Sequence, residues 1–135
     1  MTDYGKKFDL FVDIVRQLRS TAGCPWDREQ TPATLKRYLL EETKELMEAI
    51  DANDQSHTKE ESGDLMYLII LLAQINMEDE HYDIGDVLDE VTAKMIRRHP
   101  HVFANEKVET VAELRHKWLK IKKSEKSADN KTEKN

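Results

Sequence analysis

A chain of 135 residues, 39% hydrophobic and 36% charged, carries enough apolar side chains for one core and is expected to form a single domain. Its net charge of −6 argues against a general nucleic-acid surface, and its longest apolar run, Leu65 to Ala73, falls far short of the ~20 residues that span a bilayer. A lone cysteine, Cys24, and an amphipathic start from Met1 to Leu18 with no signal-peptide core point to a reducing, cytoplasmic setting.

Phe8, Phe11, Val15 and Leu18 recur at helical spacing and predict a first amphipathic helix over 5–20, whose role is packing. Thr21 to Gln30 reads as an ordered loop marked by Gly23, Pro25 and Trp26, with Trp26 a lid over the core. Thr31 followed by Pro32 is a helix start, and the second helix runs to about Asp51. The short polar stretch from Asp51 to His57 turns the chain back antiparallel. The third helix, over 58–78, is apolar on nearly every side from Leu65 to Ala73. One small domain hardly covers such a helix, so homodimerisation is expected to complete the core.

Glu78 to Asp83 is a polar connection, and Ile84, Val87, Leu88, Val91 and Met95 predict a fourth helix over 84–98 that Pro100 stops. His99 to Phe103 is expected to be non-helical, its histidines capping the helix before it. Thr110 to Glu113 is a capping box opening a fifth helix with Val111, Leu114, Trp118 and Ile121 on one face. Ser124 to Asn135 has no large apolar residue and reads as a disordered tail. The expected fold is therefore all-α, an antiparallel bundle of four to five helices over residues 1–123.

An acidic phrase occurs twice: Glu41, Glu42 and Glu45 on the second helix, then Glu60, Glu61 and Asp64 on the third. On a helical wheel Glu42 falls amid Leu35, Tyr38, Leu39, Leu46 and Ala49, and Glu61 amid Leu65, Leu68 and Leu72. A merely solvated acidic face would put these carboxylates opposite the apolar stripe, whereas they lie inside it. Buried unpaired carboxylates are costly, and no Lys or Arg shares either stripe. A divalent cation resolves this, and an all-oxygen donor set favours a hard one, Mg²⁺ or Mn²⁺. Later in the chain, Lys94 and Arg98 lie four apart at the margin of the fourth helix's stripe, with Arg97 beside them; they suit either snorkelling or a phosphate clamp. Lys122 follows Trp118 by one turn, so an aromatic and a cation project together.

The stretches GCPWDREQT at 23–31, LEETKELMEAI at 40–50, EESGDL at 60–65, KMIRRHPHVF at 94–103 and WLKIK at 118–122 together resemble the MazG family of all-α nucleoside triphosphate pyrophosphohydrolases. The resemblance implies hydrolysis between the α and β phosphates to a nucleoside monophosphate and pyrophosphate, in a house-cleaning role. It implies Mg²⁺ ligands at Glu42, Glu45, Glu61 and Asp64, with Glu41 and Glu60 assisting. It further implies phosphate contacts from Lys94 and Arg98 and ligand contacts from Trp118 and Lys122, with Arg97 beside them. Tyr38 and His57 stand where active family domains often carry lysines. A single copy of the domain again favours a homo-oligomer.

Other classes fit parts of the sequence. Glu78-x-x-His81 and Glu113-x-x-His116 have the spacing of a di-iron bundle, but Glu78 and His81 fall at the end of the helix that carries Glu61. A non-catalytic nucleotide-binding regulator of the same fold, or a dUTP- or dCTP-specific pyrophosphatase, would use the same bundle. Base and sugar preference, dimer against tetramer, and the identity of the general base stay open at this level.

Overall fold

The computed structural model describes residues 2–133, and among these the only regular elements are seven α-helices. They are α1 (Tyr4–Arg19), α2 (Pro25–Glu29), α3 (Pro32–Asp51), α4 (Gln55–Glu78), α5 (Ile84–Arg98), α6 (Pro100–Phe103) and α7 (Val111–Glu133). The chain divides into two compact units, residues 1–85 and 86–135.

The first unit is organised on the α3–α4 hairpin. Thr31 caps α3 by accepting from the Thr34 N–H, and Thr34 returns the bond to the Thr31 N–H. Asn53, at φ 53°, ends the helix in the left-handed conformation, and the Asp54 N–H reaches back to the Ala49 carbonyl. Asp54 at once caps α4 by accepting from the His57 N–H, which is why α4 begins at Gln55 rather than at the expected residue 58. The core joins Val15, Leu35, Leu68, Ile70, Leu71 and Ile75, with Phe8, Phe11, Tyr38, Leu39, Tyr67, Leu72 and Ile84 packed against them. Phe11 faces Tyr67 and Arg19 faces Glu78, so α1 runs in the same direction as α4. Met66, Ile69 and Met77 on α4 are exposed, and so are Leu10 and Ile14 on α1.

Residues expected to form an ordered loop contain the five-residue helix α2. Pro25 supplies the preset first position, and Arg19 satisfies the far end. Its Nη1 donates to the carbonyls of Asp27, Arg28 and Gln30, while Nε and Nη2 donate to both oxygens of Glu78 at 3.1 and 3.2 Å. Gly23 passes so close to the carbonyls of Gln17 and Leu18 that no Cβ fits there. Trp26 is partly exposed and meets edge-on, at 5.2 Å, the ring of Tyr38, which is itself packed against the core.

The second unit departs from expectation twice. His99 to Phe103 is not simply non-helical: His99 Nδ1 donates to the Met95 carbonyl at 2.6 Å and caps α5, and Pro100 starts α6. Proline ends one helix because it lacks an N–H, and opens the next because the first turn needs none. Thr110 accepts from the Glu113 N–H, and the Glu113 carboxylate accepts from the Glu109 N–H. α7 then continues through the segment expected to be a disordered tail, as far as Glu133; residues 134–135 lie outside the described residues. Lysine, glutamate and alanine are good helix formers, and Glu125 is held by two arginines of the same unit, which anchors the helix beyond Ser124.

Candidate metal centre

The wheel placement of the carboxylates becomes a cluster because α3 and α4 pack along their acidic turns. Glu61 is only 4% exposed, Glu42 is half-buried, and Glu41, Glu45, Glu60 and Asp64 are exposed. Oxygens of Glu42, Glu45 and Glu61 lie within 4.8 Å of one another, and so do those of Glu60, Glu61 and Asp64. Glu61 belongs to both groups and is their hinge. Glu41 is in neither.

The electrostatics of this cluster are unresolved by the protein itself. Burial, then a hydrogen bond to Glu61, then the charges of Glu45, Asp64 and Glu61 push the Glu42 carboxyl up to about 7. Glu45 is also raised, chiefly by its bond to Glu61. Glu61, which accepts from Glu42, is lowered, with help from Glu45 and from His57 Nε2 at 3.0 Å. One oxygen each of Glu42 and Glu61 is buried with no hydrogen-bond partner among the described residues. Such orphaned acceptors carry a desolvation cost that a hydrogen-bonded structure avoids. The donor set and its unpaired buried oxygens fit a divalent cation.

Three of the basic residues singled out in the sequence are bound up within the second unit. Arg97 Nε and Arg98 Nη2 both donate to the Glu125 carboxylate, the latter at 2.9 Å. The two arginines hold the Glu125 carboxyl down at about 2. Trp118 carries the Arg98 guanidinium 5.5 Å from its ring centroid and the Lys122 ammonium at 4.5 Å. The pairing of Trp118 with Lys122 follows from their spacing, but Glu125, which fell in the segment read as tail, was not foreseen. Lys94 is half-buried on α5.

The di-iron alternative is not supported. Glu78 is engaged by Arg19 and Glu113 by the start of α7, and neither belongs to a carboxylate–histidine group among the described residues. Arg19 itself escaped the sequence reading; its four-residue step from Val15 put it at the edge of the packing stripe, where the signal for a cap on α2 was absent.

Tyr38, standing where domains of the family it resembles often carry a lysine, is engaged from the neighbouring position: Arg37 donates to its hydroxyl at 2.5 Å and lies 4.6 Å from its ring centroid. His57, at the other such position, is the partner of Glu61 already described. Of the two, His57 meets the acidic cluster, through Glu61.

Comparison with known proteins converges on one family. Residues 30–103 match the profile of the MazG nucleotide pyrophosphohydrolase domain. The chain is 38% identical over 122 residues to a nucleoside triphosphate pyrophosphohydrolase of Escherichia coli, covering 90% of this chain and 46% of that protein. It is 46% identical over 105 residues to a nucleoside triphosphate pyrophosphohydrolase/pyrophosphatase MazG of Thermotoga maritima, covering 78% and 41%. It thus spans less than half the length of these curated relatives. The crystal structure of a mazG-related protein from Thermotoga maritima superposes with a TM-score of 0.71 at 32% identity, covering 85% of this chain and 98% of that one. Matched through the hairpin that holds the carboxylates, the chain belongs to the MazG nucleotide pyrophosphohydrolase family.

Proposed function

We propose that the chain is a Mg²⁺-dependent nucleoside triphosphate pyrophosphohydrolase that cleaves between the α and β phosphates, releasing a nucleoside monophosphate and pyrophosphate. The observation that carries this reading is the Glu42–Glu45–Glu61 group with its unpartnered buried oxygens. Glu42, Glu45, Glu61 and Asp64 would hold the cation, with Mn²⁺ as a substitute. A cation held there would supply a lowered pKa for a water and screening of phosphate oxygens, the two demands of phosphoryl chemistry.

The residues supply the rest. Exposed Glu41, next to the ligand Glu42, would serve as the general base, with Glu60 assisting. His57 fixes the orientation of Glu61 through its hydrogen bond. Lys94, Arg97, Arg98, Trp118 and Lys122 supply the cationic and aromatic contacts to the substrate. The exposed apolar residues of α1 and α4 support a homodimer, since a second copy would remove them from water. The compartment that goes with this reading is the cytoplasm, which holds the triphosphate pool and keeps a lone thiol such as Cys24 reduced. House-cleaning of non-standard nucleotides is the corresponding physiological role.

The test is pyrophosphate release from a panel of ribo- and deoxyribonucleoside triphosphates with Mg²⁺, for the native chain and for Glu42→Gln. Release that the substitution lowers about a hundredfold or more supports reaction and site together. Unchanged release in Glu42→Gln refutes the site, and nucleotide binding without any turnover marks a regulator instead.

A further inference from the structure

The last turn of α5 carries Arg97 and Arg98 side by side. Successive residues of a helix project about 100° apart, so two such cationic side chains diverge unless something draws them together. Glu125 on α7 does so: one of its oxygens accepts from Arg97 Nε and the other from Arg98 Nη2 at 2.9 Å. Trp118, Lys122 and Glu125 follow at the i, i+4, i+7 spacing of one α7 face, and the Trp118 ring carries both the Lys122 ammonium and the Arg98 guanidinium.

This assembly holds more positive charge than its own carboxylate needs. Two guanidinium groups and one ammonium gather about Trp118 and a single Glu125, and Glu125 takes only one nitrogen of each arginine. The Arg98 side chain is 13% exposed, and its Nε is buried with no hydrogen-bond partner among the described residues. A pair built only to tie α7 to α5 would leave no such donor over, since an unsatisfied buried N–H costs free energy. Arg97 is 49% exposed, so its guanidinium stays accessible while its Nε is tied down.

We propose that Glu125 is a positioning residue: it converges Arg97 and Arg98 into one fixed pair of guanidinium groups, which with Lys122 receives the oxygens of a polyphosphate chain. The proposal rests on the pyrophosphohydrolase reading above, in which that polyphosphate is the substrate's. Planar guanidinium groups bind phosphate oxygens through paired N–H donors, so their grip depends on orientation as much as on charge. Glu125 acts through the arginines and need not touch the ligand. Those arginines hold its carboxyl down at about 2, so it stays ionised, and the clamp stays closed, wherever a triphosphate carries its full charge.

Charge and orientation predict opposite signs for Glu125→Gln. Removing a negative charge beside these cations strengthens their field, so charge alone would tighten a bound polyanion, whereas loss of the fixed geometry loosens it. The native chain, Glu125→Gln, Arg97→Lys and the double variant are titrated by calorimetry with inorganic tripolyphosphate in the presence of Mg²⁺. Glu125→Gln is expected to weaken tripolyphosphate about tenfold or more while the affinity for Mg²⁺ alone is unchanged. Glu125→Asp, which keeps the charge and shortens the reach, is expected to weaken it as well. Arg97→Lys keeps its charge and can still pair with Glu125 but has no fork, and is expected to weaken it comparably. The double variant is expected to be little worse than either single one, because both act through one geometry. Tighter or unchanged binding in Glu125→Gln, or no tripolyphosphate binding by the native chain, overturns the proposal. So does an additive double variant, which reduces Glu125 to an anchor of α7 that acts independently of Arg97. Pyrophosphate release from nucleoside triphosphates is scored separately. If the native chain releases none, yet the two substitutions are coupled, the reaction assignment falls and Glu125 stands as the positioning residue of an oxyanion site.

Discussion

The chain contains two charge clusters that are settled in opposite ways. In the second unit, Arg97 and Arg98 both pair with Glu125, so that carboxylate finds its counter-charge in the protein. In the first unit, Glu42, Glu45 and Glu61 crowd together with one histidine, and two of their oxygens are buried without partners. A carboxylate neutralised by its own chain needs no cation and serves the fold. One that is left in deficit costs stability, and it persists where a ligand makes good the deficit.

The two clusters should therefore answer pH with opposite signs, and this is the largest effect expected. Glu42 is raised to about 7 in the folded chain, so its contribution to stability is present below the ordinary Glu pKa and is lost as pH climbs through about 7. Glu45 shifts the same way, while Glu61, the acceptor, shifts in the opposite direction. Metal-free protein should accordingly lose thermal stability over that interval. Mg²⁺ needs the deprotonated carboxylates, so its affinity should rise by up to about tenfold per pH unit and level off above about 7. Calorimetry in buffers of different ionisation enthalpy should detect protons released on binding. A Mg²⁺ affinity flat from pH 5 to 8 would separate Glu42 from the metal centre.

How far this was legible in the sequence depended on the kind of signal. Glu42 and Glu61 stood out because helical periodicity alone places them among leucines, and the hairpin then brings them together. The boundaries of α3 and α5 followed from Pro32 and Pro100, which act locally. The Glu125 clamp was not legible: Arg97 and Arg98 lie 28 and 27 residues before it, and composition alone made its surroundings look like a tail. Arg19 was missed for the same reason, because its value comes from three carbonyls and one carboxylate that only the folded chain gathers. Periodicity reports what one helix does by itself; a cation that joins segments leaves no period.

The clamp gives the next effect. Glu125 is lowered to about 2 by its bonds to Arg97 and then Arg98, so its contribution is complete above the ordinary Glu pKa and is lost as pH falls through about 2. Glu125→Gln should imitate that loss at neutral pH. Amide hydrogen exchange of residues 119–133 should become faster, while Mg²⁺ binding at the carboxylates stays as it was. If exchange over those residues is unaltered, the ion pairs do not hold α7, and intrinsic helix propensity alone carries the segment.

The smallest effect comes from a site outside both clusters and calibrates the other two. Glu80, just past the Asp79 cap of α4, sits at φ 59°, a left-handed conformation that a side chain disfavours, while the His81 N–H bonds back to the Asn76 carbonyl at 2.9 Å. Glycine takes that conformation without the Cβ penalty, so Glu80→Gly should stabilise the chain by about 1 kcal/mol at every pH, whether or not Mg²⁺ is present. The measurement is thermal or urea denaturation with and without the metal. A gain that instead tracked pH or Mg²⁺ would mean that the C-terminal end of α4 is coupled to its acidic turn more than four helical turns away, and the stability changes assigned to Glu42 would then have to be shared with the whole helix.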